Sequence, residues 1–408
     1  MIQLYPHQER VLNETYHFNR VAYYLDMGLG KTFVGSEKMW ELNTPYNLVI
    51  CQKSKIQDWK EHFKTWYDYK VIIYDKQPIK NIPEDSVLII NYDKIWRRPE
   101  LHKLQNFTLM LDESSMIKNE NSNRSKFILN LKPNNVILLS GTPTGGKYEE
   151  LWSQLHLLGW NIDKKTFYKH YVVQEWDERN QKFIITGYKN VDRLKRKLRQ
   201  YGAVFMKTED VFDLPTVNEQ TVKIPTTKHY KEFVKHHIVE VVNDVLVGDT
   251  PAAKKLYLRL LAGVYNENKL QYVKDLIDST NDRIIIFYNF RKEYETLVKI
   301  IDKPISTVNG DTKDLSAYEQ YDYSVTLIQY QAGAMGLNLQ KANKIIYFTL
   351  TDKSELFEQS KKRIHRIGQE RPCFYYYLLT DGSIEWQMLE VLKERKDYTD
   401  ELFEEENE

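Results

Sequence analysis

Val21-Ala22-Tyr23-Tyr24-Leu25-Asp26-Met27-Gly28-Leu29-Gly30-Lys31-Thr32 is the stretch on which the fold turns. Val21 to Leu25 reads as a strand, a glycine-bearing turn follows it, and the segment after Thr32 has helical character. Gly28 and Gly30 let backbone amides close on an anion, Lys31 places a positive charge on outer phosphates, and Thr32 offers a hydroxyl to magnesium. The pattern departs from the full G-x-x-x-x-G-K-[ST] form because Leu25 stands where the first glycine would be. Taken alone, it also fits a glycine-rich turn with no ligand.

Working outward, short apolar runs recur at Asn47–Ile50, Val71–Tyr74, Val87–Ile90, Leu109–Leu111 and Val136–Leu139. Helix-like stretches lie between them, such as Ile56 to Trp66, with apolar residues at Ile56, Trp59, Phe63 and Trp66. Strands alternating with helices predict a parallel sheet covered on both faces. The same texture returns at Arg283–Phe287, Val325–Ile328 and Ile345–Phe348, which predicts a second α/β domain.

The expected organisation is a first lobe over 1–150, helical protrusions and a linker over 151–280, a second lobe over 281–395 and an acidic tail over 396–408. The middle stretch is aromatic-rich with few strand-like runs, so it reads as mostly helical insertions joined by the extended Asp213–Val217. The closing run Glu401 to Glu408 reads as a frayed terminus.

Bulk properties agree with this plan. A chain of 408 residues exceeds one ordinary core, and 42% hydrophobic with 28% charged residues suits a folded protein. The 58 Lys+Arg nearly balance the 57 Asp+Glu, so any polyanion site must be a local stripe. The two cysteines, Cys51 and Cys373, are too distant in sequence for a CxxC pair, and neither a disulfide framework nor a zinc site is expected. The chain start has no basic n-region or apolar h-region, and no apolar run approaches the ~18 residues of a membrane span. A cytoplasmic location is expected, or the host cytoplasm if the protein is viral.

Two further segments carry chemistry. Leu109-Met110-Leu111-Asp112-Glu113 is an apolar strand ending in two carboxylates. With a phosphate loop upstream, Asp112 suits magnesium and Glu113 suits a water nucleophile; without one, the pair is a solvated strand end. Gln359-Ser360-Lys361-Lys362-Arg363-Ile364-His365-Arg366-Ile367-Gly368-Gln369 places Arg363 and Arg366 three apart, on one face if the segment is helical. Two guanidinium groups so placed would reach a γ-phosphate; the plain alternative is a solvated basic face.

In this order the residues resemble the Swi/Snf branch of the superfamily 2 helicases along nearly the whole chain. Leu4-Tyr5-Pro6-His7-Gln8 is similar to the family's adenine-reading motif, Asp26–Thr32 to motif I and Leu48–Trp59 to motif Ia. Asn91-Tyr92 resembles motif Ib, Asp112–Ser115 motif II, and Ser140-Gly141-Thr142-Pro143 motif III. In the second lobe Ile284–Phe290 resembles motif IV, Val308–Asp311 the segment after it, Ala332–Leu339 motif V and Gln359–Gln369 motif VI. Asp213-Leu214-Pro215 resembles the interlobe linker. Ser114-Ser115 stands where the family usually has Ala-His, Tyr330-Gln331 where Thr-Lys is usual, and Leu350-Thr351-Asp352 where Trp-Asn-Pro is common.

The resemblance implies two RecA-like lobes, ATP with magnesium as cofactors, and a duplex-DNA track gripped with low sequence specificity. Gln8, Met27, Gly28, Leu29, Gly30, Lys31, Thr32 and Gly336 would then hold the nucleotide, and Thr32 and Asp112 the metal. Lys31, Asp112, Glu113, Gln359, Arg363 and Arg366 would act in catalysis. Lys53, Ser54, Tyr92, Thr142, Asn309, Gly310 and Asn338 are the candidate DNA contacts. The basic run Lys189–Arg199 would either bind a second backbone or pack Val191, Leu194 and Leu198 inward as an amphipathic helix. Two rivals stand beside the duplex motor: a strand-separating helicase on single-stranded DNA or RNA, and a nucleotide-gated binding protein with little hydrolysis.

Overall fold

The structure, a computed structural model, describes residues 2–178, 180–242, 244–333 and 336–403. The chain forms two compact units, Met1–Val211 with Asp397–Glu408, and Phe212–Lys396.

The first unit is built on a seven-stranded sheet. Its strands are β1 (Arg20–Leu25), β2 (Tyr46–Cys51), β3 (Lys70–Ile73), β4 (Ser86–Asn91), β5 (Phe107–Asp112) and β6 (Asn135–Ser140); a hairpin of β7 (Val172–Asp177) and β8 (Lys182–Tyr188) precedes the last, β9 (Ala203–Met206). The spatial order is β3-β4-β2-β5-β6-β1-β9, and every neighbouring pair is parallel. Helices α1 (Pro6–Glu14), α2 (Lys31–Leu42) and α3 (Ile56–Trp66) belong to this unit. Because a parallel sheet is covered on both faces, its central strands need apolar residues at every position. That is why Leu48-Val49-Ile50 and Val136-Ile137-Leu138-Leu139 are continuous apolar runs, all fully buried.

The second unit repeats the plan with β10 (Val217–Ile224), a hairpin of β11 (Ile238–Val241) and β12 (Asp244–Val247), then β13 (Ile284–Tyr288), β14 (Ile305–Val308), β15 (Lys313–Asp314), β16 (Val325–Gln329), β17 (Lys344–Tyr347) and β18 (Cys373–Thr380). The order is β10-β18-β17-β13-β16-β14-β15, and only β15 runs antiparallel to its neighbour in this sheet. Two parallel-sheet α/β lobes are therefore present.

The middle of the chain is less helical than its composition suggests. Besides the helices Lys164–Tyr171, Val191–Gln200, Lys228–His236, Pro251–Ala262 and Glu267–Asp278, it supplies an edge strand to each sheet and both hairpins. The reason is solvent: β10 is exposed over most of its length, and the β7–β8 hairpin exposes Trp176, Phe183, Ile184 and Ile185. Strands of this kind carry no long buried apolar run, and the ladder partner of β10, β18, lies far along the chain. In the helix Val191–Gln200, Leu194 and Leu198 are fully buried, and Lys195 is buried with them.

The chain end also differs from expectation. Glu401–Phe403 is not frayed but completes the helix Ile384–Phe403, with Leu402 buried. The Tyr148 hydroxyl donates to the Tyr398 carbonyl at 2.9 Å and meets the Glu401 carboxylate at 2.5 Å. Residues 404–408, the rest of the acidic tail, lie outside the described residues, as do Ala334 and Met335 of the motif V run.

Candidate functional site

The register of the first sheet gathers its chemistry at one edge. Tyr24 of β1 pairs with Ser140 of β6, and Asp112 of β5 with Leu139, so all three strands end at the same level. Ligands of open α/β sheets bind at this carboxyl edge.

From β1 the chain enters the phosphate loop, which is held at both ends. Asp26 accepts the Met27 amide at 2.9 Å and the Thr208 hydroxyl at 3.0 Å, anchoring the loop start to the segment after β9. At the far end, the His7 ring meets the Leu29 carbonyl at 3.1 Å, and Gln8 Nε2 donates to the Leu29 and Gly30 carbonyls at 3.3 and 3.4 Å. Gly28 has φ +94° and Gly30 φ +73°. At Gly30 the torsion favours glycine, and a side chain there would also displace the Gln8 carboxamide. Gln8 is thereby buried against the loop, its Oε1 accepting the Tyr5 amide at 2.9 Å. Lys31 and Thr32 open α2; the Lys31 ammonium donates to the Leu25 and Asp26 carbonyls at 2.8 and 3.2 Å, while Thr32 is exposed.

Asp112 closes β5 and Glu113 follows it, capping the 3-10 turn Ser114–Ile117. Burial pushes the Asp112 carboxyl above its ordinary pKa; the Trp59 indole, bonded to Oδ2 at 2.9 Å, and the charges of Lys31 and Lys55 oppose that shift. Glu113 has φ +57°, the left-handed region that costs an L-residue about 1–2 kcal/mol. Strain of this kind concentrates at functional sites. The Ser140 hydroxyl donates to Glu113 Oε2 at 3.4 Å and accepts the Thr142 amide at 3.1 Å. Sequence reading placed Trp59 on a helix face and missed its contact with Asp112, which depends on how α3 packs.

The candidate DNA residues of this unit divide. Lys53 and Ser54 sit exposed in a 3-10 turn, Lys53–Lys55, immediately before α3. Tyr92 is only 1% exposed, and its hydroxyl donates to the carbonyls of Asp112 and Glu113 at 2.9 and 3.3 Å. Thr142 Oγ1 is buried with no hydrogen-bond partner among the described residues. Neither of these last two hydroxyls faces solvent.

In the second unit the basic motif does not stay helical. The helix Ser354–Lys361 carries the half-buried Gln359 and stops before both arginines, which lie in turns. A shared helix face is therefore replaced by a folded loop. The Leu339 amide donates to the Arg363 carbonyl at 3.1 Å, and Gln369 Nε2 bonds the carbonyls of Gln340, Ala342 and Ile364 at 3.1, 2.8 and 3.3 Å. Arg363 is 1% exposed; Arg366 is half-buried, donates to the Leu337 carbonyl at 3.4 Å, and has its pKa lowered by burial. Gly336 has φ +68° and is exposed, as is Asn338. Asn309 spends its Oδ1 on the Asp311 and Thr312 amides at 2.9 and 2.8 Å, which shapes a turn around the exposed Gly310.

A phosphate loop after the first sheet strand, with an Asp-Glu pair ending another strand at the same edge, defines a nucleotide-hydrolysing α/β protein of the helicase-like ATPase class. Residues 24–272 match the SNF2-related domain and residues 268–368 the helicase conserved C-terminal domain, and the chain belongs to the SNF2-related family. A Bacillus subtilis (strain 168) protein, YwqA, provisionally named as an ATP-dependent helicase/translocase, is 25% identical over 94% of this chain and 46% of its own length. The mouse SWI/SNF-related matrix-associated actin-dependent regulator of chromatin subfamily A member 1 is 24% identical over 90% of this chain and 40% of its own length. The chain thus spans less than half the length of these relatives. Among solved structures, the Sulfolobus solfataricus SWI2/SNF2 ATPase core in complex with dsDNA aligns over 98% of this chain and 92% of that one, at 20% identity and a TM-score of 0.48.

Proposed function

We propose that this ATPase is a translocase that couples ATP hydrolysis to movement along double-stranded DNA, remodelling the duplex or displacing proteins bound to it. The observation that carries the reading is a single structural path: the exposed Lys53 and Ser54 lead directly into α3, and α3 delivers Trp59 to the Asp112 carboxylate. A surface suited to phosphates is thereby joined to the hydrolytic centre by one short helix.

Gln8 shapes the base end of the site, with Met27, Gly28, Leu29, Gly30 and Lys31 around the phosphates and Glu113 orienting the attacking water. The exposed Thr32 hydroxyl and the Asp112 carboxylate form a donor set that suits magnesium, which retains several waters and shares substrate phosphates. When bound, that ion supplies charge neutralisation on the phosphates. Gln359, Arg363 and Arg366 are the further residues proposed for catalysis and Gly336 for nucleotide binding; arginines in such a role contribute roughly 10³–10⁵ in rate in other phosphoryl-transfer systems. Lys53, Ser54, Asn309, Gly310 and Asn338 grip phosphates, which position a protein without reading sequence. Among the described residues no helix is long and apolar enough to cross a membrane, and the proposed location is the cytoplasm.

Steady-state ATP hydrolysis with no nucleic acid, single-stranded DNA, duplex DNA and RNA tests the proposal, with Lys31→Ala and Arg366→Ala as controls. Strong stimulation by duplex DNA that both substitutions abolish is the expected result. Stimulation by single strands or RNA alone would transfer the reading to a strand-separating helicase, and absence of hydrolysis would leave a nucleotide-gated binder.

A further inference from the structure

Gln154 lies in the short helix Trp152–Leu157, outside every motif that touches nucleotide, and is 0% exposed. Its carboxamide is shared among three separate segments. Oε1 accepts the Ser114 hydroxyl at 2.7 Å and the Tyr24 hydroxyl at 3.0 Å, and Nε2 donates to the Pro143 carbonyl at 2.7 Å. Ser114 and Tyr24 are themselves fully buried, so these bonds form away from water.

Each partner stands next to a group of the hydrolytic site. Tyr24 precedes Leu25, whose carbonyl takes the Lys31 ammonium. Ser114 follows Glu113, the residue held at φ +57°. Pro143 lies two residues after Gly141, where a Cβ would sit 3.3 Å from Lys31 Nζ, so this loop packs directly beside the lysine. The same loop begins at Ser140, whose hydroxyl reaches Glu113 Oε2. An apolar side chain at 154 would strand two hydroxyls and a carbonyl, all buried, and would free the three segments to shift independently.

We propose that Gln154 is a positioning residue for ATP hydrolysis: one buried carboxamide sets the mutual placement of Lys31, Glu113 and the Ser140–Pro143 loop. Ser114, where the sequence departs from the family's usual Ala, supplies the hydroxyl through which Gln154 acts on Glu113. The inference rests on the hydrolytic roles assigned above to Lys31 and Glu113. It does not depend on which nucleic acid stimulates the enzyme.

The test compares Gln154→Leu, Ser114→Ala and the double substitution in the full chain, reading kcat and KM for ATP at saturating nucleic acid, together with thermal unfolding. Gln154→Leu is expected to lower kcat about tenfold with KM within twofold, and Ser114→Ala about threefold. The double variant should be no slower than Gln154→Leu, because both remove the same connection. A purely structural Gln154 would lower the melting temperature while leaving kcat per folded molecule unchanged, and that result overturns the proposal. So do rate losses that multiply in the double variant. Should Gln154→Leu fail to fold, Ser114→Ala decides alone, since it removes one hydroxyl and little volume; an unchanged kcat then rejects the inference. Absence of hydrolysis by the unsubstituted chain would instead sink the hydrolytic reading itself, and this proposal with it.

Discussion

The Trp59 indole donates to Asp112 Oδ2 across 2.9 Å, from a helix whose preceding turn exposes Lys53 and Ser54. Trp59 itself is only 3% exposed. A buried donor fixed on a carboxylate favours its charged form and fixes its direction, both of which matter for the metal-holding role proposed for Asp112.

Trp59→Phe keeps the ring and removes the donor. It is expected to lower kcat about tenfold, the scale of one hydrogen bond to a charged group. The pH profile gives the sharper test. Burial already raises the Asp112 pKa, so activity is lost on the acid side as pH falls through that raised value. Loss of the donor raises it further, and the acid limb of the kcat profile should move to higher pH. A limb that stays in place would show that the indole does not act on Asp112.

Tyr92→Phe separates two roles for one residue. With its hydroxyl on the carbonyls of Asp112 and Glu113 rather than in solvent, its loss should lower kcat severalfold and leave duplex-DNA affinity within about twofold. Weaker duplex binding at unchanged kcat would return Tyr92 to the DNA surface.

Lys53→Ala tests the track directly. A phosphate contact contributes about 0.9 to the slope of log affinity against log salt on duplex DNA, so the variant should flatten that slope by about one and weaken all sequences alike. Unchanged salt dependence would remove Lys53 from the interface.

Gly30→Ala and Gly28→Ala are expected to differ. Both force an L-residue to positive φ, at about 1–2 kcal/mol. Only at Gly30 does the new carbon also strike Gln8 Nε2, whereas at Gly28 no atom lies within 4 Å. Nucleotide titration should find Gly30→Ala weaker by a further factor of about ten or more, and equal losses would show that Gln8 yields easily.

Stability of the second unit should depend on a buried pair. Lys269 Nζ meets both Glu385 carboxylate oxygens at 2.8 Å, and the side chains are 0% and 2% exposed. Burial lowers the lysine pKa and raises that of the glutamate, opposed by their mutual attraction. Lys269→Met should cost about 3–5 kcal/mol in urea unfolding by leaving a lone buried carboxyl, and Lys269→Met with Glu385→Leu should recover most of it. A double variant as unstable as the single one would show that the bonds Lys269 Nζ donates to the Phe348 and Leu378 carbonyls, at 3.2 and 2.8 Å, hold the fold instead of the pair.

Much of this molecule is legible along the chain because the relevant physics is local. The central strands, buried on both faces, must be continuous apolar runs, and Asn47–Ile50 and Val136–Leu139 declare themselves as such. The phosphate loop is equally local, since its glycines, lysine and threonine all lie within Gly28–Thr32 and their chemistry needs that spacing. The Asp-Glu pair ends a strand that the pattern already reveals.

What the sequence left undecided depends on partners distant in the chain. Edge strand β10 carries a weak pattern because solvent covers much of its surface, and only its ladder with the distant β18 defines it. The arginine segment has the composition of a helix, yet contact with the 337–342 segment turns it into a loop. Tyr92 reads as a polar surface residue until β5 receives its hydroxyl, and Gln154 reads as an ordinary helix residue until three segments converge on it. Sequence determined the central strands, the nucleotide loop and the family; the tertiary structure alone decided which buried polar groups hold that loop and its carboxylates in place. Hydrogen bonds between remote segments have direction and reach, and no run of neighbouring residues encodes either.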